Sequence, residues 1–330
     1  MVRQAVFGAL LSLAICSFSG RIIAIQDAPP PAGSRPPAEI PLSRLKPDAA
    51  LPLQFEPGAV PADDAVWTID RSAGAIVRIA AKDNSVGAPV AVGGQPCASL
   101  TIAFESVWAP LCGDGTIARV ALKDQKVTTT VKAVVADPDG RIASNAGSIW
   151  AITDRKGVVS RIDPDTGASV AEIYVPKGTV AVASGPDALW ITCEDAGRLV
   201  RVNPHDTEVV EEIPVGPRPR RLTVGEGAIW TLNGDGTVSR VDPATNKVVA
   251  TIKLERDTAK GDIAAGAGSV WVSLLGTPIV RIDPRTNRAV QAFTGEGGGA
   301  ILVAHGSLWV SAGPKVTWRL DPKLVEALRP

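Results

Sequence analysis

The chain is expected to be all-β: a seven-bladed β-propeller of four-stranded antiparallel blades, its ring closed by an N-terminal strand. Three observations predict this. One Trp recurs at Trp67, Trp108, Trp150, Trp190, Trp230, Trp271 and Trp309, at spacings of 41, 42, 40, 40, 41 and 38. An Arg follows each Trp by ten or eleven residues: Arg78, Arg119, Arg161, Arg201, Arg240, Arg281 and Arg319. Between these marks, short alternating runs are separated by turn-forming clusters, and no long segment shows helical period. Four short strands per forty-residue unit is the pattern of a propeller blade.

The fifth unit displays every element in order. Arg221–Val224 reads as a first strand, and Gly225-Glu226-Gly227 turns into a second strand, Ala228–Leu232, which carries Trp230. Asn233-Gly234-Asp235-Gly236 is rich in residues that accept positive φ and predicts a tight hairpin. Thr237–Val241 is the third strand. Asp242-Pro243-Ala244-Thr245-Asn246 turns again, with Pro early and Asn tolerating the left-handed position, into a fourth strand at Lys247–Leu254. Related Asp-Pro or Asn-Pro turns stand at 163–167, 203–206 and 283–287, while the first two units carry Ala80-Ala81 and Ala121-Leu122 instead. Trp318 falls outside the register. The last unit runs out after Asp321-Pro322, short of a fourth strand, so Leu51–Glu56 is expected to supply the outer strand of the last blade.

The recurring Trp is expected to pack between blades, since a large aromatic buries 150–250 Å² when enclosed. The recurring Arg alternates with Val or Ile, and Arg161/Asp163, Arg240/Asp242 and Arg281/Asp283 sit two apart on one face. A structural ion pair or a hydrogen bond to the neighbouring blade is expected there.

Upstream of the repeats, residues 1–20 read as a secretory signal. Arg3 supplies the positive charge, 5–18 is almost unbroken apolar, and Ser17, Ser19 and Gly20 offer small residues for cleavage. Leu13-Ala14-Ile15-Cys16 departs from a lipoprotein box because Ile15 is large, so anchoring at Cys16 is not expected. Residues 21–48 hold seven Pro between Pro29 and Pro47 and read as an extended, flexible tether; 49–330 is the propeller. The expected product is exported, periplasmic or secreted, monomeric, and without a membrane span once mature.

Composition narrows the function classes. Basic and acidic side chains balance at 34 each, so bulk charge gives no attraction to nucleic acid. The chain has two His, His205 and His305, both in turns of the face opposite the remaining loops and expected to be solvent-exposed. Neither builds a Ser-His-Asp arrangement, and with no clustered Cys a His/Cys metal site is not expected. Gly297-Gly298-Gly299 precedes a strand, unlike a phosphate loop that opens a helix. Asp114 and Asp235 lie in Gly-rich turns without the other spaced carboxylates of a calcium loop. Cys97 and Cys112 fall near-opposite across the first strand pair of the second unit, a candidate disulfide that leaves Cys193 as a free thiol. No catalytic residue is identified, and no cofactor is evident.

What remains is the face formed by the blade-to-blade and second-to-third-strand loops. Arg218, Arg220 and Arg221 cluster there, and Arg198 of the adjacent unit is placed to join them. They form a candidate site for an anion or an acidic partner, whether protein or small molecule.

The Gly-x-Gly-x-x-Trp turns, as in 225–230 and 266–271, and the Arg-Ile/Val-Asp-Pro-x-Thr segments resemble those of YVTN-repeat and streptogramin-lyase-like propellers over about residues 50–330. The resemblance implies the same seven-bladed fold. It also implies an alternative activity: a lyase that opens a cyclic depsipeptide by elimination, using Glu and His near the channel with Mg2+. Virginiamycin B lyases follow the blade Trp with Phe-Thr-Glu. Here the Trp is followed by Ile191-Thr192-Cys193, Thr231-Leu232-Asn233 or Val272-Ser273-Leu274. The residues themselves favour a non-catalytic binding or interaction scaffold that works through its loop face.

Overall fold

The computed structural model describes residues 36–97, 99–133, 135–136 and 141–329. The leader, Cys16 and the first part of the tether lie outside the described residues. Among the described residues, seven sheets of four antiparallel strands are arranged as blades in a ring. The fifth blade runs Pro219–Gly225, Ala228–Asn233, Thr237–Asp242 and Lys247–Lys253. No helix among the described residues is long and apolar enough to cross a membrane.

The turns explain the regularity. In five blades the first and second strands are joined by two-residue loops in which both residues take positive φ, as at Glu226 (50°) and Gly227 (72°) or His305 (50°) and Gly306 (69°). That geometry matches the twist of a hairpin. The third and fourth strands are joined by longer turns with a left-handed residue at Asn84, Asn246 or Asn287. The Asp that opens such a turn accepts hydrogen bonds from its own turn, as Asp163 does from the amide and hydroxyl of Thr166 at 2.7 and 2.9 Å. These bonds hold the Asp163 carboxyl below the usual carboxylate range.

The Trp and Arg repeats are one device. Each Trp lies directly opposite its Arg across the second and third strands: Trp67 and Arg78, Trp108 and Arg119, Trp230 and Arg240, Trp309 and Arg319. The ten- or eleven-residue spacing is therefore a cross-strand register. All seven Trp are 2% exposed or less. Each packs into the next blade: Trp67 against Val107 and Ala109, Trp230 against Val270 and Val272, and Trp309 against Val66 and Ile79 of the first blade. Burying one such ring is worth about 4–6 kcal/mol as an upper bound. Five indole Nε1 groups, such as that of Trp230, donate to the carbonyl five residues earlier.

The guanidinium carries the contact onward. Arg240 stacks 5.1 Å from the Trp230 ring and donates to Pro284 O at 2.6 Å and Asn287 Oδ1 at 2.8 Å in the following blade. Arg201 reaches Pro243 O and Asn246 Oδ1, and Arg319 reaches Ala81 O and Asn84 Oδ1, in the same manner. Where the left-handed residue is Gly167, Arg119 keeps only the carbonyl, Pro164 O. Where it is Thr207, Arg161 turns back to Ser148 and Ala146 of its own blade.

The ends of the chain supply the remaining pieces. Strand β1, Ala38–Pro41, pairs in parallel with Arg288–Thr294 and adds a fifth strand to the sixth blade. Strand β2, Ala49–Leu51, pairs antiparallel with Val316–Leu320 at the outer edge of the seventh blade. The outer strand thus lies a few residues earlier than the expected Leu51–Glu56. The later part of the stretch expected as a flexible tether, 21–48, is structured. From Ala38 onward the chain is packed, with Ile40, Leu42 and Leu45 buried against Trp271 and Phe293. Pro41 fits there because it ends an edge strand.

After the third strand of the seventh blade, helix α1, Pro322–Ala327, takes the place of a turn. Asp321 caps it by accepting from the Lys323 amide, Pro322 stands at its start, and Val325 is fully buried. Arg281 donates to Glu326 Oε1 of α1 at 3.2 Å, where the other blades offer a turn.

Candidate functional site

Connections between blades and turns between second and third strands share one face, at the mouth of the central channel. A cavity of about 370 Å³ opens there, a size at the small end of ligand sites. Its walls come from the connection after β2, including Phe55 and Glu56, and from the innermost parts of blades four to seven.

The four Arg expected on this face do not form one cluster. Arg220 and Arg221 line the cavity; Arg198 and Arg218 do not. Arg198 heads the third strand of the fourth blade, opposite Pro214 and Cys193. Arg218 folds onto its own blade, donating to Gly234 O at 2.7 Å. Arg220 is fully engaged: Nε and Nη2 meet Glu194 Oε1 at 2.8 and 2.7 Å, and Nη1 donates to Ala259 O at 2.9 Å. The second oxygen of Glu194 faces Arg155 at 3.4 Å, so one carboxylate ties blades three, four and five.

Deeper in the channel, Arg221 and Arg141 flank Asp262, which is 6% exposed. Burial pushes the Asp262 carboxyl above its ordinary range. The two guanidinium charges and a hydrogen bond from the Ile301 amide at 3.3 Å oppose that shift. Glu56, at the opposite wall, accepts from Arg71 at 3.0 Å and from Gln54 Nε2 at 3.0 Å. Lys260, also on the lining, is exposed, and its ammonium has no ion-pair or hydrogen-bond partner among the described residues.

Sequence reasoning missed Glu194, Asp262, Arg141 and Lys260. The available sign was a charge at or near the head of the innermost strand in three units: Arg141, Arg221 and Asp262. Only the closed ring brings them together. The cavity rim also uses Gly298, at φ 95°, where an added Cβ would stand 1.8 Å from Leu274 O. The Gly-rich run is thus needed for close backbone approach.

Neither His is at the cavity. His205 is exposed in the turn between third and fourth strands of its blade. His305 is only partly exposed, contrary to expectation, because its Nε2 donates to Ala65 O of the first blade at 3.0 Å. No group of three or more His, Cys, Asp or Glu suited to a metal ion occurs among the described residues. The two carboxylates on the cavity wall are each held by Arg. This donor set does not fit a Mg2+ centre, and no elimination step is derived from it.

Cys97 and Cys112 are joined in a disulfide with Cα atoms 5.7 Å apart. Cys193 is a buried free thiol beside Thr179 Oγ1 at 3.8 Å, and burial pushes its pKa up to about 12.

No protein-family model matches the chain, and no curated protein matches it. Solved structures do. A streptogramin B lyase matches at 18% identity and TM-score 0.68, over 81% of this chain and 93% of that one. A virginiamycin B lyase from Staphylococcus aureus matches at 19% and 0.69, over 82% and 97%. The WD40 β-propeller domain of Doa1 matches at 14% and 0.67, over 83% and 96%. At these identities the shared property is the fold alone, a propeller like that of the streptogramin lyases.

Proposed function

We propose that the protein is a non-catalytic binding propeller whose working surface is the channel mouth. One observation carries this reading. The cavity carboxylates, Glu56 and Glu194, are each fixed by a guanidinium, and both His lie elsewhere. Acid-base chemistry needs a group within reach of the reacting proton and free to exchange it. Groups tied to each other instead present a fixed pattern of charge to a ligand, which favours recognition. The expected leader together with the Cys97–Cys112 disulfide supports an exported protein in an oxidising compartment.

Two measurements test the reading. Incubation with a streptogramin B antibiotic and magnesium, followed by mass spectrometry, is expected to return the intact depsipeptide; a linearised product formed with turnover overturns the proposal. Ligand captured by the protein in its native compartment should be lost on Leu275→Glu, a change at an exposed position of the cavity wall. Capture that survives this change but depends on the opposite turn face would move the site and reject the assignment.

A further inference from the structure

Every charge on the cavity wall is matched except one. Glu194 is matched by Arg220 and Arg155, Glu56 by Arg71, and Arg221 faces Asp262. Lys260 is left over, exposed at the rim, with no partner among the described residues. The apolar surface on the remaining wall comes from Pro57 and Leu275, beside the polar Gln54 and Ser311; Phe55 and Val180 are each only 2% exposed. Leu275 is 60% exposed and presents an apolar surface to the cavity.

We propose that this cavity takes a singly charged organic acid with a short apolar body, its carboxylate held by Lys260 and its body against Leu275 and Pro57. The inference rests on the binding reading above and names the ligand class for that same site. Charge count selects the class. A dianion such as phosphate needs a second uncommitted cation, and Arg220 has its Nε and both terminal nitrogens engaged. A cationic ligand would meet Lys260 with its own charge and find Glu56 and Glu194 already neutralised. A neutral apolar ligand would gain nothing from the Lys260 ammonium, which stays in water at the rim. The cavity of about 370 Å³ suits a small body.

Titration of the whole protein with hexanoate, hexanol, hexylammonium and inorganic phosphate, followed by amide NMR shifts, tests this. Hexanoate is expected to shift Gly261, Leu275 and Gly298 and to bind about fivefold more tightly than hexanol, the ratio a partly exposed ion pair supports. Lys260→Gln should remove that ratio, and Lys260→Glu should reverse the preference toward hexylammonium. Lys260 is exposed, so both variants are expected to keep the wild-type melting temperature. Equal binding of hexanol and hexanoate to the wild type would overturn the acid assignment while leaving the binding face standing. Phosphate bound more tightly than hexanoate would overturn it in favour of a dianion. Absence of any shift at these residues with all four probes would also overturn it, whereas the binding reading falls only on streptogramin turnover or on capture at the turn face.

Discussion

At the scale of single residues, the recurring Arg is the most informative group. In four blades, at Arg119, Arg201, Arg240 and Arg319, its guanidinium stacks on the Trp of its own blade and donates to the turn of the next, so it carries packing across the blade boundary. The number of bonds follows the residue at the left-handed turn position: Asn adds a side-chain acceptor that Gly167 and Thr207 do not give. Arg319→Ala removes bonds to Ala81, Asn84 and Ser307 along with the Trp309 stack, and is expected to cost about 2–3 kcal/mol. Arg161→Ala, whose bonds stay within one blade, should cost visibly less in urea unfolding; equal losses would contradict the clamp. Cys193 belongs to this scale too. With its pKa pushed up to about 12 by burial, the thiol stays protonated near neutrality, and the thiolate is the reactive form. Iodoacetamide at pH 8 is expected to leave it unmodified in the folded protein and to label it fully in denaturant. Rapid labelling of the native form would show that the site opens.

At the scale of elements, the repeat strands were legible because each combines an alternating pattern with turn residues at both ends. The fifth unit matches its expected strands to within two or three residues. β1 was not legible, because Pro density argues against a strand. A parallel edge strand that ends at Pro41 gives up no ladder bond that a central strand would need. β2 was foreseen as an idea but placed too late in the chain, since the apolar run at Leu51–Phe55 looked more strand-like than Ala49-Ala50. Leu51 and Phe55 instead pack with Trp309, Val66 and Ile79, between the seventh and first blades. Deleting residues 47–57 would leave Val316–Leu320 unpaired on its outer side and uncover that cluster. A sharp fall in melting temperature by scanning calorimetry is expected; an unchanged transition would show that β2 is dispensable.

At the scale of the whole molecule, the ring creates what no unit contains. Arg155, Glu194 and Arg220 come from three blades, and Arg141, Arg221 and Asp262 also come from three. Their partners are set by closure, so a linear reading could name two of the cavity cations, Arg220 and Arg221, but not the carboxylates they face. It missed Lys260, an isolated surface charge with nothing in the sequence to mark it. Blade count, by contrast, needed only the Trp register.

The direction of β1 carries one more consequence. It runs alongside Arg288–Thr294, from the turn side of the ring toward the loop side, and α1 follows a strand that ends on the turn side. The polypeptide therefore enters and leaves the propeller from behind. The two ends of the described chain, at residues 36 and 329, thus both stand on the turn side, away from the cavity. A propeller held to a surface at residue 36 or at residue 329 would keep its cavity facing outward and open to solution.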